Sequence, residues 1–364
     1  MPRASCASLH FFSPPSSPFP LHFLCRFFTL HSALSFTRSR LAVVTAIMLL
    51  YLFLIVVVGV LAVFFQCDAD LPIVFLPYKE EGAFAGKTVW ITGASSGIGA
   101  SLAEDMVRAG AQVVISARRE AALEAVADKC ALLGTRPFVL PLDVTDFAAQ
   151  AEAVKVVMEK FGRVDSLVLN AGMAQRIPAE KTDLQVTQEL MHLNFISIVS
   201  LTKLVLPSML ARGAGQFVIM SSVSGIIGTP LGSSYSASKF ALHGYFNALR
   251  AEVGSRGVGV TIICPGPVVS EIADKAHRNS ELPAGVETEA KMPTARCTGY
   301  VAKAMYYGFY EAWLSQQPVL AFTYVYKYAP FLANLLAVKI FGPGRVRAFE
   351  TGGDIYDMKA IFTK

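Results

Sequence analysis

Lys87-Thr-Val-Trp-Ile-Thr-Gly-Ala-Ser-Ser-Gly-Ile-Gly-Ala100 joins a short apolar run to a glycine-rich turn and then to a helical pattern. Thr88 to Ile91 reads as a strand. Gly93 allows a tight turn, Gly97 lets the backbone approach a pyrophosphate, and Gly99 permits close packing of helix on strand, while the amide-rich helix start faces an anionic ligand. The helix runs through Leu102, Met106 and Val107 to Gly110, and residues 112–116 read as a second strand. This is the first half of a βαβ unit. Its Gly-x-x-x-Gly-x-Gly spacing departs from the Gly-x-Gly-x-x-Gly fingerprint, so the rest of the chain must decide what it serves.

Downstream the pattern alternates. Residues 117–132, 146–161, 184–210 and 235–252 read as helices, and residues 137–142, 166–169, 216–221 and 259–264 as extended runs. That rhythm predicts an α/β fold, a Rossmann-type doubly wound parallel sheet of about seven strands with helices on both faces. Beyond Pro267 the pattern loosens, and residues 281–293 read as a mobile loop that caps a substrate. Ile272, Leu282, Val286 and Met292 are expected to line its pocket. Residues 301–313 read as helical and 319–323 as an edge strand.

An apolar fraction of 53% with only 16% charged residues means that part of the chain meets lipid. Residues 41–65 carry no charge and, at 1.5 Å rise per residue, span the roughly 30 Å hydrocarbon core with some tilt. They are expected to form a single-pass transmembrane anchor. Residues 1–40, rich in Ser, Pro and Phe, are expected to be without structure, or to be excluded altogether if Met48 is the true start. Residues 66–86 read as a linker, 87–323 as the catalytic domain, and 324–364 as an extension facing membrane or an interface.

The net charge of +5 comes largely from Arg3, Arg26, Arg38 and Arg40; the remainder balances 28 basic against 27 acidic residues. No basic face for nucleic acid is implied. The six cysteines lie far apart, without Cys-x-x-Cys or paired histidine spacing, so no metal site is expected.

In Tyr235-Ser-Ala-Ser-Lys239 the Tyr and Lys are four apart on a helix and project from one face. A phenol with a solution pKa near 10 is a poor acid-base at neutral pH, and an adjacent ammonium favours its ionised form. Ser222, at the end of the fifth strand, sits where open α/β sheets bind ligands and can orient a reacting oxygen. A Gly-x-Ser-x-Gly elbow is missing, and His192, His243 and His277 fall at ordinary helix or loop positions.

The set Thr92-Gly-x-x-x-Gly-x-Gly, Asn170-Ala171-Gly172, Asn194, Ser222, Tyr235-x-x-x-Lys239 and Pro265-Gly266 resembles the short-chain dehydrogenase/reductase family in order and spacing. Leu169 where that family often has Asn, and Ser270 where it often has Thr, are mild departures. The resemblance implies that Tyr235 is the catalytic acid-base, that Lys239 lowers its pKa and holds the nicotinamide ribose, that Ser222 binds the substrate oxygen, and that Asn194 helps hold a relay water. It also implies cofactor contacts from Gly93, Ser95, Ser96, Gly97, Ile98, Gly99, Asp143, Val144, Asn170, Ala171, Gly172, Pro265, Gly266 and Val268. At the end of the second strand, Ala117 stands where an NAD enzyme usually places a carboxylate, and Arg118 and Arg119 follow, so NADP(H) is the expected cofactor.

The expected activity is interconversion of a carbonyl and a secondary alcohol on a lipophilic substrate such as a steroid or retinoid. A 3-ketosphinganine-type keto-lipid is the second reading within the enzyme class. The competing class is a membrane-bound NADP(H)-binding scaffold without turnover, against which the complete Asn, Ser, Tyr and Lys set speaks. Anchoring is expected at the endoplasmic reticulum, with the side left open. Leu332, Leu335, Leu336 and Ile340, widened by Phe331 and Val338, form an apolar helical face that meets membrane lipid beside the substrate entrance, or else seals a homodimer or the domain's own core. Tyr324, Tyr326 and Tyr328 are expected at the wet boundary.

Overall fold

In the computed structural model, which describes residues 21–270, 277–278 and 291–351, the chain divides between Val63 and Phe64 into two units. The first holds nearly all of helix α1 (Leu21–Gln66). Its stretch Ala42–Gln66 has a mean hydropathy of 3.1 and none of its length buried, long and apolar enough to be a candidate membrane span. The helix reaches back beyond the expected start at residue 41 because Pro14, Pro15, Pro18 and Pro20 all lie before Leu21, and no Pro or Gly follows until Gly59.

The second unit begins with β1 (Thr88–Thr92), α2 (Gly97–Arg108), β2 (Gln112–Ser116), α3 (Glu120–Ala131), β3 (Phe138–Val139), α4 (Phe147–Phe161) and β4 (Ser166–Leu169). It continues through α5 (Leu184–Met191), α6 (Ser197–Arg212), β5 (Gly215–Met220), α7 (Ser233–Val253), β6 (Val258–Pro265), α8 (Thr294–Tyr307) and β7 (Glu311–Leu314). The strands form one parallel seven-stranded sheet in the order β3-β2-β1-β4-β5-β6-β7. Alternation along each strand sorts the core into two layers. Val89 and Ile91 of β1 and Val218 of β5 meet α2, α3 and α8 on one side, whereas Trp90, Phe217 and Ile219 meet α4, α6 and α7 on the other.

The seventh strand is not where the sequence reading put it. Helix α8 stops at Gly308, whose φ of +65° is left-handed, and Glu311–Leu314 then pairs with Ile262–Pro265. Residues 319–323, expected as an edge strand, open helix α9 (Val319–Tyr328), which buries Leu320 and Thr323 at a spacing of three. The run Val-Leu-Ala-Phe-Thr carries no period-2 alternation to distinguish the two. After α9 come α10 (Pro330–Leu336), a π turn at Ala337–Phe341 and α11 (Gly342–Glu350).

The segment expected as a linker packs on this unit. Ala69 bridges Leu314 antiparallel, the Asp70 amide donates to Trp313 O at 3.0 Å, and Ile73 is fully buried. Arg296 Nε pairs with Asp68 Oδ2 at 2.6 Å. Of the loop residues expected to line a pocket, Ile272, Leu282 and Val286 lie outside the described residues. Met292 is buried in the core, because its amide and carbonyl bond Pro267 O and the Val269 amide.

Candidate active site

The phosphate cradle follows from backbone geometry. Gly93 holds φ at +66°, where an added Cβ would also stand 2.7 Å from Ala171 Cα, and a Cβ at Gly99 would fall 2.5 Å from Gly93 O. Only glycine fits either place. Asn170 Nδ2 donates to Thr92 O and Gly93 O, both at 3.0 Å, which fixes the carbonyl edge of the turn. Ser96, the residue before α2, caps it with no side-chain hydrogen bond, so the first-turn amides are left for an anion.

Gly93, Ser95, Ser96, Gly97, Ile98, Arg118, Arg119, Asp143, Val144, Asn170, Ala171 and Gly172 line one cleft along the carboxyl ends of the strands. Gly99 is buried in α2 and does not line it. Arg119 Nη2 donates to Ser95 Oγ at 3.3 Å, and Arg118 acts electrostatically on Asp143. Burial alone would raise the Asp143 carboxyl; hydrogen bonds from the Thr145 amide and hydroxyl, with Arg118 nearby, hold it below the usual carboxylate range.

The cleft continues into a second cavity lined by Ser222, Tyr235, Lys239, Pro265, Gly266 and Val268, sharing Ile98, Asn170 and Gly172 with the first. Tyr235 sits in the first turn of α7 and Lys239 one turn on, with Lys239 Nζ 5.7 Å from the centre of the Tyr235 ring. Lys239 is 4% exposed and donates to Met220 O at 2.8 Å. Burial pushes its ammonium down to about 8. Ser222 Oγ accepts from the Ser224 amide at 3.1 Å and donates to Pro265 O at 3.3 Å, and it lines the cavity together with Tyr235 and Lys239 of α7.

Asn194 lies in a π turn, His192–Ile196, that interrupts the long helix expected over 184–210. It is fully buried and lines neither cavity: Oδ1 accepts from the Met173 amide, and Nδ2 donates to Met173 O and Ser238 Oγ. Its side chain thereby ties the loop after β4 to α7. Gln175 does related work, and no residue near it in the chain marks that role. Its Oε1 accepts from the Ser234 and Tyr235 amides at 2.9 and 3.2 Å, capping a helix whose own N-cap, Gly232, has no side chain.

Residues 87–281 match the family described as short chain dehydrogenase. The chain belongs to that family. Human Dehydrogenase/reductase SDR family member 7 is 39% identical to this short-chain dehydrogenase over 302 residues, covering 80% of this chain and 89% of the human one. The chicken Hydroxysteroid 11-beta-dehydrogenase 1-like protein is 35% identical over 265 residues, 72% of this chain and 87% of its own. Among solved structures, a putative NAD(P) dependent gluconate 5-dehydrogenase from Beutenbergia cavernae with bound NADP at low occupancy is 30% identical, with a TM-score of 0.55 over 64% of this chain and 96% of that one. A short chain dehydrogenase/reductase from Burkholderia phymatum in complex with NAD shares the fold at 23% identity and a TM-score of 0.61, covering 69% and 96%. This short-chain dehydrogenase is thus an oxidoreductase whose fold binds NAD or NADP.

Proposed function

We propose that this short-chain dehydrogenase interconverts a carbonyl and a secondary alcohol on a lipophilic substrate, with NADP(H) as cofactor. One observation carries the reading. The catalytic cavity runs past Ile227, Thr229, Pro230, Val319 and Arg345 into an apolar pocket closed by Phe322, Ala337 and Phe341 of the C-terminal helices. A substrate with its oxygen at Ser222 and Tyr235 lays its apolar body there, as a steroid, a retinoid or a keto-lipid of the 3-ketosphinganine type would.

NADP(H), when bound in the cleft, would supply hydride chemistry at the substrate carbon. The α2 amides and Ser95 and Ser96 would hold its pyrophosphate, Arg118 and Arg119 its 2′-phosphate, Asp143 and Val144 its adenine end, and Lys239 its ribose. Ser222 Oγ turns its one proton from Pro265 O to the substrate oxygen, and Tyr235 gives that oxygen its proton on reduction or removes it on oxidation. The Lys239 ammonium stabilises the phenolate left behind. The test is NADPH-dependent reduction across a panel of steroids, retinoids and long-chain keto-lipids. NADPH binding with no turnover on any of them overturns the reading in favour of a scaffold. Arg118→Ala should raise the KM for NADPH about tenfold or more, the scale of a lost charge-assisted contact, and that for NADH little. Equal effects on the two remove the case for NADP.

We further read the protein as anchored by α1, with α9 and α10 at the lipid boundary. Phe64, the first residue of the second unit, is held within it: Gln317 Nε2 donates to Phe64 O at 3.1 Å, and the Phe64 ring packs edge-on against Tyr324 at 5.4 Å. Tyr324, expected at a wet boundary, is half-buried instead and donates its hydroxyl to Asp70. Within the second unit Tyr328, Phe331, Leu332, Leu335 and Val338 are exposed by 46–84%. Apolar exposure of that extent suits a lipid surface. Once the first helix is deleted to Asp70, the remainder should still float with neutral phosphatidylcholine liposomes, and Leu335→Asp with Val338→Asp should abolish flotation. A product that stays in solution while those substitutions change only oligomer size assigns the face to a dimer. The endoplasmic reticulum is the compartment we assign to it.

A further inference from the structure

Ser221, His243 and Glu311 come from three separate elements, the loop entered from β5, helix α7 and strand β7, and meet in one line. Ser221 Oγ lies 3.0 Å from His243 Nε2, and His243 Nδ1 lies 3.6 Å from Glu311 Oε2. Glu311 is held in turn by the Trp313 indole, which donates to Oε1 at 2.6 Å. The residue types are those of a hydrolytic serine, histidine and acid set, here on the wall of the dehydrogenase cavity beside Ser222. Ser221 is 6% exposed, and Gly225 lies so close that a Cβ there would stand 2.6 Å from its hydroxyl oxygen.

What the line does is join two parts of the dehydrogenase site. His243 follows Lys239 by one turn of α7, as Lys239 follows Tyr235, so the three project from one face. Lys239 Nζ is bonded to Met220 O, His243 to Ser221 Oγ, and the next residue is Ser222. Successive residues at the end of β5 are therefore fastened to successive turns of the catalytic helix. We propose that His243, oriented by Glu311, is a positioning residue that fixes α7 against the end of β5 and so sets the gap between Tyr235 and Ser222 where the reacting oxygen must sit. The inference rests on the carbonyl–alcohol reading above. A misplacement of about 1 Å at a reacting centre can cost about 10²-fold in rate.

The test compares Ser221→Ala, His243→Phe, their double variant and His243→Gln in the full-length protein in detergent, with kcat counted per NADPH-binding site. Counting per site removes any loss of folded material. Each of the first two should lower kcat about tenfold or more with the KM for NADPH unchanged, the scale of a partly misplaced catalytic group. The double variant should be no slower than His243→Phe, and His243→Gln, whose amide reaches Ser221, should recover part of the rate. Unchanged kcat per site, or single losses that multiply in the double variant, overturns the proposal. If His243→Phe fails to fold, Glu311→Gln takes its place in the same comparison. A wild type that reduces no carbonyl refutes the functional reading instead, and the cycle is then read in thermal midpoints, which need no substrate. There, non-additive losses support the tie and additive losses overturn it.

Discussion

Tyr235→Phe should lower kcat by about 10²- to 10⁴-fold, the usual contribution of a positioned proton donor, and leave NADPH affinity nearly intact. The separation of the two effects comes from what the substitution leaves in place. The ring remains in the first turn of α7, so the Lys239 ammonium keeps its station 5.7 Å from the ring centre. Gln175 caps that turn through backbone amides, which the substitution does not touch. Ser222 still presents its hydroxyl, held by the Ser224 amide and Pro265 O. What is lost is the hydroxyl and its exchangeable proton. Steady-state rates and NADPH fluorescence titration on the same preparations check both halves. A variant that keeps more than about a tenth of the wild-type rate removes Tyr235 from the acid-base role.

The parts of this site that could be read from the sequence are those in which a local rule and a chemical need coincide. Gly93 and Gly99 announce themselves because a tight turn and a close helix–strand approach exclude every other residue. Tyr235 and Lys239 share a helix face by spacing alone. What stayed hidden is made by distant pairs. Gln175 caps a helix about sixty positions away, and the Asp70–Tyr324 bond that holds the segment before β1 on α9 joins residues 254 apart. Nothing near any of these residues marks the partner. His243 is an intermediate case: its place one turn beyond Lys239 was visible, but Glu311 was not, because residues 301–313 read as one helix. Gly308 was the signal that could have corrected this, since a glycine just past the last apolar repeat is a common helix stop. The apolar run 319–323 offered no such marker, and its burial of Leu320 and Thr323 appears only once it packs.

The pH dependence of stability should single out Lys239. In the cofactor-free protein its ammonium is buried, and burial lowers its pKa from 10.5 to about 8. Between those values the unfolded chain binds the proton and the folded one does not, so this residue's contribution to stability rises with pH across the window. The stability is present above about 10.5 and lost as the pH falls to about 8. A depression of that size corresponds to about 3 kcal/mol. Lys239→Met removes the titration and keeps the volume. It also leaves Met220 O without its donor, but that cost does not change with pH. Tyrosines and cysteines that titrate in the same range and carry no influence of Lys239, such as Tyr78 and Cys130, are common to both proteins and cancel in the difference. The stability of Lys239→Met relative to wild type should therefore fall by about 3 kcal/mol between pH 7.5 and 10.5, measured by urea unfolding of the cofactor-free proteins in detergent. A difference that stays flat would mean that Lys239 is solvated in the absence of cofactor. The same variant should lose turnover and bind NADPH more weakly at every pH, because the charge that is costly in the empty fold is the one that the phenolate and the ribose require.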